Sequence, residues 1–297
     1  MGTPFIGPVG GAGRNGACMS ASRDALALLE ETSRTFYIPI ARLPADGLRQ
    51  TVTAAYLCLR ALDEVEDHPA LTPRAKAVTL RALGRALQTS FDAADIAAAL
   101  EAQRAILPEV TLRLHEWTQL APAAIAPRLW DAAAAMAERM ALWVECGWAI
   151  DTARDLDSYT FGVAGAVGLL LSDLWMWHGG IQTDRRHAVG FGRGLQAVNI
   201  LRNRDADRAR GVDFFPRGWG QGAMDAYARR NLALGDAYNA SLPEGALRDV
   251  CLIPATLAHA TLDVLAQGQG KLSRQAVHDV VGQATRVPTL ADADVGG

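Results

Sequence analysis

From about residue 22 to residue 285 the apolar residues recur at three- and four-residue spacings almost without interruption, and the alternation of a half-buried strand is essentially absent. That period places the apolar side chains on one stripe of a helix, so the chain is predicted to be all-α. Candidate helices cover 22–37, 44–66, 72–90, 92–106, 108–120, 125–150, 154–178, 184–208, 222–240, 244–267 and 270–282. The breaks between them carry proline, glycine or a capping residue, as at Pro44 with Asp46, Thr72 with Pro73, Gly179 with Gly180, and Leu242 with Pro243. No fixed-period repeat or low-complexity linker interrupts 22–285, which predicts a single helical domain between flexible tails at 1–21 and 286–297.

Half of the residues are hydrophobic and 21% are charged, enough apolar material for a large core. The net charge of −3 creates no overall field for nucleic acid or an anionic membrane, so an anionic ligand needs local cations. The longest apolar run, 161–171, falls short of the roughly 20 residues of a membrane helix, and no membrane span is predicted. The four cysteines, Cys18, Cys58, Cys146 and Cys251, form no CxxC pair, and the first twenty residues lack the pattern of a secretory signal. Both features predict reduced thiols and a cytoplasmic location. The glycines of GVAGAVG lie in a helical pattern rather than after a strand, so no nicotinamide site is predicted.

Two polar constellations stand out from this apolar background. Residues 56–67 read YLCLRALDEVED. On a helix Asp63 and Asp67 project from one face a turn apart, with Arg60 and Tyr56 on the preceding turns. Their flanks, Cys58, Leu59, Ala61, Leu62 and Val65, are apolar, so the acids are carried toward the interior, where a divalent metal would offset the cost of burying them. The same spacing also suits a solvated helix end.

In the second constellation, GLQAVNILRNRDADRARGVDFFP (194–216), Gln196, Asn199, Asn203 and Asp207 form one continuous stripe of oxygen-bearing side chains. Amides facing a core need partners, and Mg2+ would be one. Arg202, Arg204, Arg208 and Arg210 add donors suited to phosphate oxygens; the run 204–210 also suits an ordinary charged helix end whose acids and arginines form mutual salt bridges.

Five blocks in this order resemble the squalene/phytoene synthase family over nearly all of 22–285: SRTFYIPIARLP (33–44), YLCLRALDEVEDHP (56–69), YTFGVAGAVG (159–168), the 194–216 block, and TLAHATLDVLAQGQGKLSR (256–274). The resemblance implies the all-helical class I isoprenoid synthase fold, a central cavity, a Mg2+ cluster holding an allylic prenyl diphosphate, and carbon–carbon bond formation through ionisation of that diphosphate. It assigns Asp63 and Asp67 to the first acidic motif, with Arg60 as a diphosphate contact. Ser33, Arg34 and Phe36 fall in the N-terminal substrate block, and Tyr159 near the reacting carbons with a part in proton handling. Gln196, Asn199 and Arg202 fall on the second helix of ligands, and Lys271 and Arg274 form a basic pair near the C-terminal helix. The implied metal ligands are Asp63, Asp67, Asn199, Asn203 and Asp207. Phe36, Tyr56, Tyr159 and Phe161 are candidates to face a carbocation, and Gly162, Ala164, Gly165, Ala166 and Gly168 to leave room for substrate or to pack helices closely.

The departures from the family pattern lie together. Asn203 stands where the family usually has the first aspartate of a second DxxxD motif, and Val212 and Phe214 where it usually has arginine and tyrosine. Each change removes a polar group from the region expected to hold metal and diphosphate. The leading expectation is therefore a Mg2+-dependent prenyltransferase that passes the prenyl cation to a small hydrophobic acceptor without a diphosphate, an aromatic of carbazole type. Head-to-head joining of two farnesyl or geranylgeranyl diphosphates is the alternative, and a catalytically silent binding protein of the same fold is a third reading.

Overall fold

The computed structural model describes residues 12–89, 92–268, 272 and 274–284, and among these no strand occurs. The helices are α1 (Ala12–Thr32), α2 (Arg34–Ala41), α3 (Leu48–Asp67), α4 (Pro73–Thr89), α5 (Ala93–Leu100), α6 (Glu109–Leu112), α7 (Leu114–Thr118), α8 (Ala126–Glu145), α9 (Ala153–Thr160), α10 (Ala166–Gly179), α11 (Arg185–Ala209), α12 (Gln221–Ala240), α13 (Ala246–Ala266) and α14 (Arg274–Ala284). The two that carry the polar constellations, α3 and α11, are among the longest.

Local chemistry sets several boundaries. Asp184 caps α11, its carboxylate accepting from the backbone N–H groups of Arg186 and His187. Thr152 and Asp155 form a reciprocal capping box at the start of α9. The helix predicted from 22 begins at Ala12 and is divided at Ser33, whose extended backbone separates α1 from α2. The helix predicted to reach residue 150 ends at Glu145, because Gly147 and Trp148 both take left-handed backbone angles, with φ of 63° and 49°. The helix predicted over 154–178 is interrupted by a π-helical turn, Phe161–Gly165, that joins α9 to α10. The C-terminal tail expected at 286–297 lies outside the described residues.

The core fills the spaces between α3, α4, α8, α10 and α13 with side chains such as Leu57, Leu62, Leu80, Leu83, Met140 and Trp175. A second cluster between α9, α11 and α12 includes Leu156, Ile200, Phe214 and Met224. The backbones of α10 and α11 nearly touch. A Cβ on Gly192 would lie 2.1 Å from the Ala164 carbonyl oxygen, and one on Gly168 would lie 2.0 Å from that of Ala188. The small residues at 164, 165 and 168 thus serve close helix packing, and this contact fixes α11 against the π turn that follows Tyr159.

By length and composition, two stretches, Ala153–Gly179 and Ala246–Ala266, are apolar enough to cross a membrane, which the count of consecutive apolar residues had missed. In this fold both contribute side chains to an internal cavity, among them Val163, Val167 and Leu171 from the first and Val250, Pro254 and Leu257 from the second. Their hydropathy is accounted for by that wall.

Candidate active site

α3 and α11 face each other across two connected spaces. The larger is a mainly apolar cavity of about 670 Å³, walled by α2, α3, the π turn, α10, α11 and α13 and reached by Leu272 and Val277. The smaller is a polar pocket of about 150 Å³. Arg60, Asp63, Val163, Gln196, Asn199 and Asn203 line both, so the polar pocket forms one end of the apolar cavity. Glu66, Asp67, Tyr159, Ile200, Asp207, Arg210 and Phe214 complete the polar pocket.

On the α3 side the carboxyl groups are crowded and poorly neutralised. Burial, followed by the neighbouring Glu66 charge, holds the Asp63 carboxyl well above the usual carboxylate range, with Arg60 acting the other way. Burial also pushes Glu66 up to about 7, against the hydrogen bond that Trp148 Nε1 donates to its Oε1 at 2.9 Å. Lys76 Nζ donates to the Glu66 backbone oxygen, and its amine lies over the Trp148 ring. Arg60 is drawn to Glu64 by an ion pair within its own helix, and its Nε is buried without a hydrogen-bond partner.

The α11 side is arranged around donors. Asn199 Oδ1 accepts from both Arg202 Nη2, at 2.7 Å, and Asn203 Nδ2, at 3.0 Å. Arg210 Nη1 donates to Asp67 Oδ1 at 2.8 Å and its Nη2 to Asp207 Oδ1 at 2.9 Å, tying the end of α11 to the end of α3. Arg204 and Arg208 do not point to the pocket. Both pair with Asp213, and the Arg204 guanidinium lies 3.6 Å from the centre of the Phe215 ring. Of the two readings open for them, the ion-paired helix end is the one the structure shows.

Tyr159 closes the pocket from α9. Its ring stacks on Phe214 at 4.8 Å and meets the edge of Trp143 at 5.6 Å. Burial, reinforced by Glu66, Asp67 and Asp63, keeps its phenol protonated well above the usual tyrosine range. Phe36 and Tyr56 line the apolar cavity with their ring centres 5.3 Å apart. Ser33 does not line it, and its side chain hydrogen-bonds the Tyr56 phenol instead.

Three expected substrate contacts are placed elsewhere. Phe161 is absent from both spaces; its ring lies beneath the guanidinium groups of Arg139, at 5.1 Å, and Arg193, at 5.9 Å. Gly162 packs against the Arg139 side chain, and Ala166 lines neither space. On a regular helix Gly162 and Ala166 would share a face with Tyr159, whereas Phe161, two residues on, would point away; with the π turn in place, Val163, Ala164, Val167 and Gly168 line the cavity instead. Lys271 lies outside the described residues. Arg34 and Arg274 are the first residues of α2 and α14.

Sequence reasoning missed Glu66, although a third acid three residues after Asp63 was visible, and it missed the bridge made by Arg210. The apolar contribution of α13 carries no polar signal that would have singled it out.

Among the described residues no three histidine, cysteine, aspartate or glutamate side chains converge as a preformed metal site. The donor chemistry nevertheless fits Mg2+. Asp63, Glu66, Asp67 and Asp207 are hard oxygen ligands around one small pocket, and the upward shift of Asp63 reflects an excess of buried negative charge that a divalent cation would relieve. Asn199 and Asn203 fit less well, since the Asn199 oxygen already serves two donors and Asn203 presents its amide N–H to it.

Comparison with known proteins agrees with this geometry. Residues 29–224 match the squalene/phytoene synthase family. The squalene synthase of Eremothecium gossypii is 32% identical over 266 residues, covering 79% of this chain and 60% of that protein. That of Schizosaccharomyces pombe is 28% identical over 276 residues, covering 89% and 58%. The chain thus spans about 60% of the length of these relatives. In three dimensions a solved structure of TcSQS in complex with a ligand aligns with a TM-score of 0.73 at 23% identity, over 90% of this chain and 87% of that one, which is a likeness of fold. With the family match covering well over half of its residues, and with its all-helical isoprenoid synthase fold, the chain belongs to the squalene/phytoene synthase family.

Proposed function

We propose that this chain is a Mg2+-dependent prenyltransferase that ionises an allylic prenyl diphosphate and joins two such prenyl units head to head. The observation that carries this reading is the continuity of the two spaces: a roomy apolar cavity ends on a pocket of carboxylates and donors. A prenyl diphosphate has that polarity, with an apolar chain and a compact anionic head. The relatives named squalene synthases support two prenyl donors over an aromatic acceptor.

Bound Mg2+ would place positive charge on the diphosphate as the allylic C–O bond breaks. Asp63 and Glu66 would hold it at the mouth of the cavity, assisted by the Asp67 and Asp207 oxygens that Arg210 does not take. Arg60 and Arg202, which line the cavity, would donate to diphosphate oxygens. The aliphatic wall from Val163 to Leu171 and from Val250 to Leu257 excludes water from the prenyl cation. The faces of Phe36 and Tyr56 stabilise positive charge along the chain. Tyr159 keeps its proton, so it acts as a donor beside the departing diphosphate rather than as a base.

Transfer to a neutral aromatic acceptor is the second reading. It is favoured by the α11 wall, where Asn203 and Arg210 reduce the negative charge available to hold cations for a second diphosphate. Mass analysis of products decides between the two, with dimethylallyl, geranyl, farnesyl and geranylgeranyl diphosphate each offered with and without carbazole. A coupled hydrocarbon or its cyclopropyl precursor formed from one donor alone supports the first reading. Prenylated carbazole with no coupled product supports the second. No diphosphate release from any donor contradicts both.

A further inference from the structure

Of the four arginines at 202–210, Arg210 is the one whose guanidinium spans both acidic walls. Arg202 is engaged with Asn199, and Arg204 and Arg208 with Asp213. Arg210 places one nitrogen on Asp67 and another on Asp207, each within 3 Å. Asp67 lies at the last position of α3 and Asp207 in the last turn of α11, so the bridge closes the polar pocket at the end away from the apolar cavity. The Asp207 side chain is 11% exposed, and Arg210 is its closest ion-pair partner.

We propose that Arg210 acts as a fixed cation in the position a divalent ion would otherwise take between Asp67 and Asp207, and so sets the number of metal ions the pocket holds. This rests on the Mg2+ reading above. A guanidinium is planar, permanently charged and forked, and it satisfies one oxygen of each carboxylate, so positive charge between the two is already supplied by the protein. Asn203 acts in the same direction, because its amide is used as a donor to Asn199. The α11 end therefore meets the diphosphate with protein N–H groups, while the metal is confined to the Asp63 and Glu66 end. The charge at Arg210 is covalently attached, so chelation does not remove it.

The test counts Mn2+ bound per chain at saturating inorganic pyrophosphate, by electron paramagnetic resonance of the free ion. The proteins are the wild type, Arg210→Ala, Arg210→Gln and the control Arg208→Ala, with circular dichroism on each. Both Arg210 variants are expected to bind one ion more than the wild type, and Arg208→Ala the same number as the wild type. An equal or lower count in both Arg210 variants overturns the proposal while leaving the Mg2+ reading in place, and so does a gain shared by Arg208→Ala. No Mn2+ in any of the four proteins overturns the Mg2+ reading itself.

Discussion

On the α3 side of the polar pocket, Asp63 and Glu66 are pressed together and desolvated, and the nearest arginine, Arg60, is shared with Glu64. On the α11 side, Asn199 Oδ1 has Arg202 and Asn203 as donors, and Asp207 Oδ1 has Arg210. Both walls come from helices of similar pattern. The difference is in neutralisation. One wall is a charge imbalance that a cation relieves, and the other balances itself within the protein. Metal dependence should therefore be concentrated in α3 and diphosphate contact by N–H groups in α11.

The sharpest way to break this contrast is to neutralise the α3 wall. Asp63→Asn is expected to lower kcat/KM by about a thousandfold or more, a loss near 4 kcal/mol, with an unchanged circular dichroism spectrum. Asp67→Asn should cost less, because Asp67 is exposed and already shared with Arg210. Equal losses in the two would remove the distinction between the buried and the shared carboxylate.

A pH series tests the same wall through stability. Glu66 titrates near 7 in the folded chain against 4.5 when unperturbed. Between those values the folded protein keeps a proton that the unfolded chain has released, so this group's contribution falls as pH rises through the window. Above pH 7 the cost is about 3 kcal/mol, at about 1.4 kcal/mol for each unit of the shift. In metal-free buffer, Glu66→Gln is expected to raise the melting temperature at pH 8 and to leave it nearly unchanged at pH 4.5. An equal change at both values would mean that packing, rather than charge, sets the effect.

Tyr159→Phe should lower kcat by roughly 100-fold with little change in KM, the lower end of the range for a single positioned proton donor. The ring contacts with Phe214 and Trp143 survive the substitution, so the melting temperature should move little. A fall in melting temperature with unchanged kcat would make Tyr159 a packing residue. The smallest effect belongs to the α11 wall. Asn203→Asp loses the donor to Asn199 but adds a carboxylate, and it is expected to tighten Mg2+ about two- to fivefold. A hundredfold tightening in calorimetry would show that this wall is as dependent on metal as α3.

The helical class and the two polar stripes were legible in the sequence because helical periodicity is local, whereas their meeting in one site was implied by the family resemblance alone. Asp63 with Asp67, and Gln196 with Asn199, Asn203 and Asp207, needed only a 3.6-residue repeat to be placed on common faces. What escaped was the outcome of competition between neighbours. The π turn at Phe161–Gly165 leaves Gly162 and Ala166 off the cavity, and nothing in the local pattern of small residues marks that insertion. The fate of each arginine depended on a partner elsewhere in the fold: Asp213 drew Arg204 and Arg208 aside, whereas Asp67, 143 residues away, received Arg210. Glu66 was visible as an acid, but its burial came from Trp148 and the surrounding helices.

The central claim is that the α3 wall and Mg2+ together hold a diphosphate. It is tested most directly by the melting temperature of wild-type protein and of Asp63→Asn with Mg2+ alone, inorganic pyrophosphate alone, and both. A rise of several degrees is expected in the wild type only when both are present, and no such rise in Asp63→Asn. An equal rise with pyrophosphate alone, or the same rise in the variant, would contradict it.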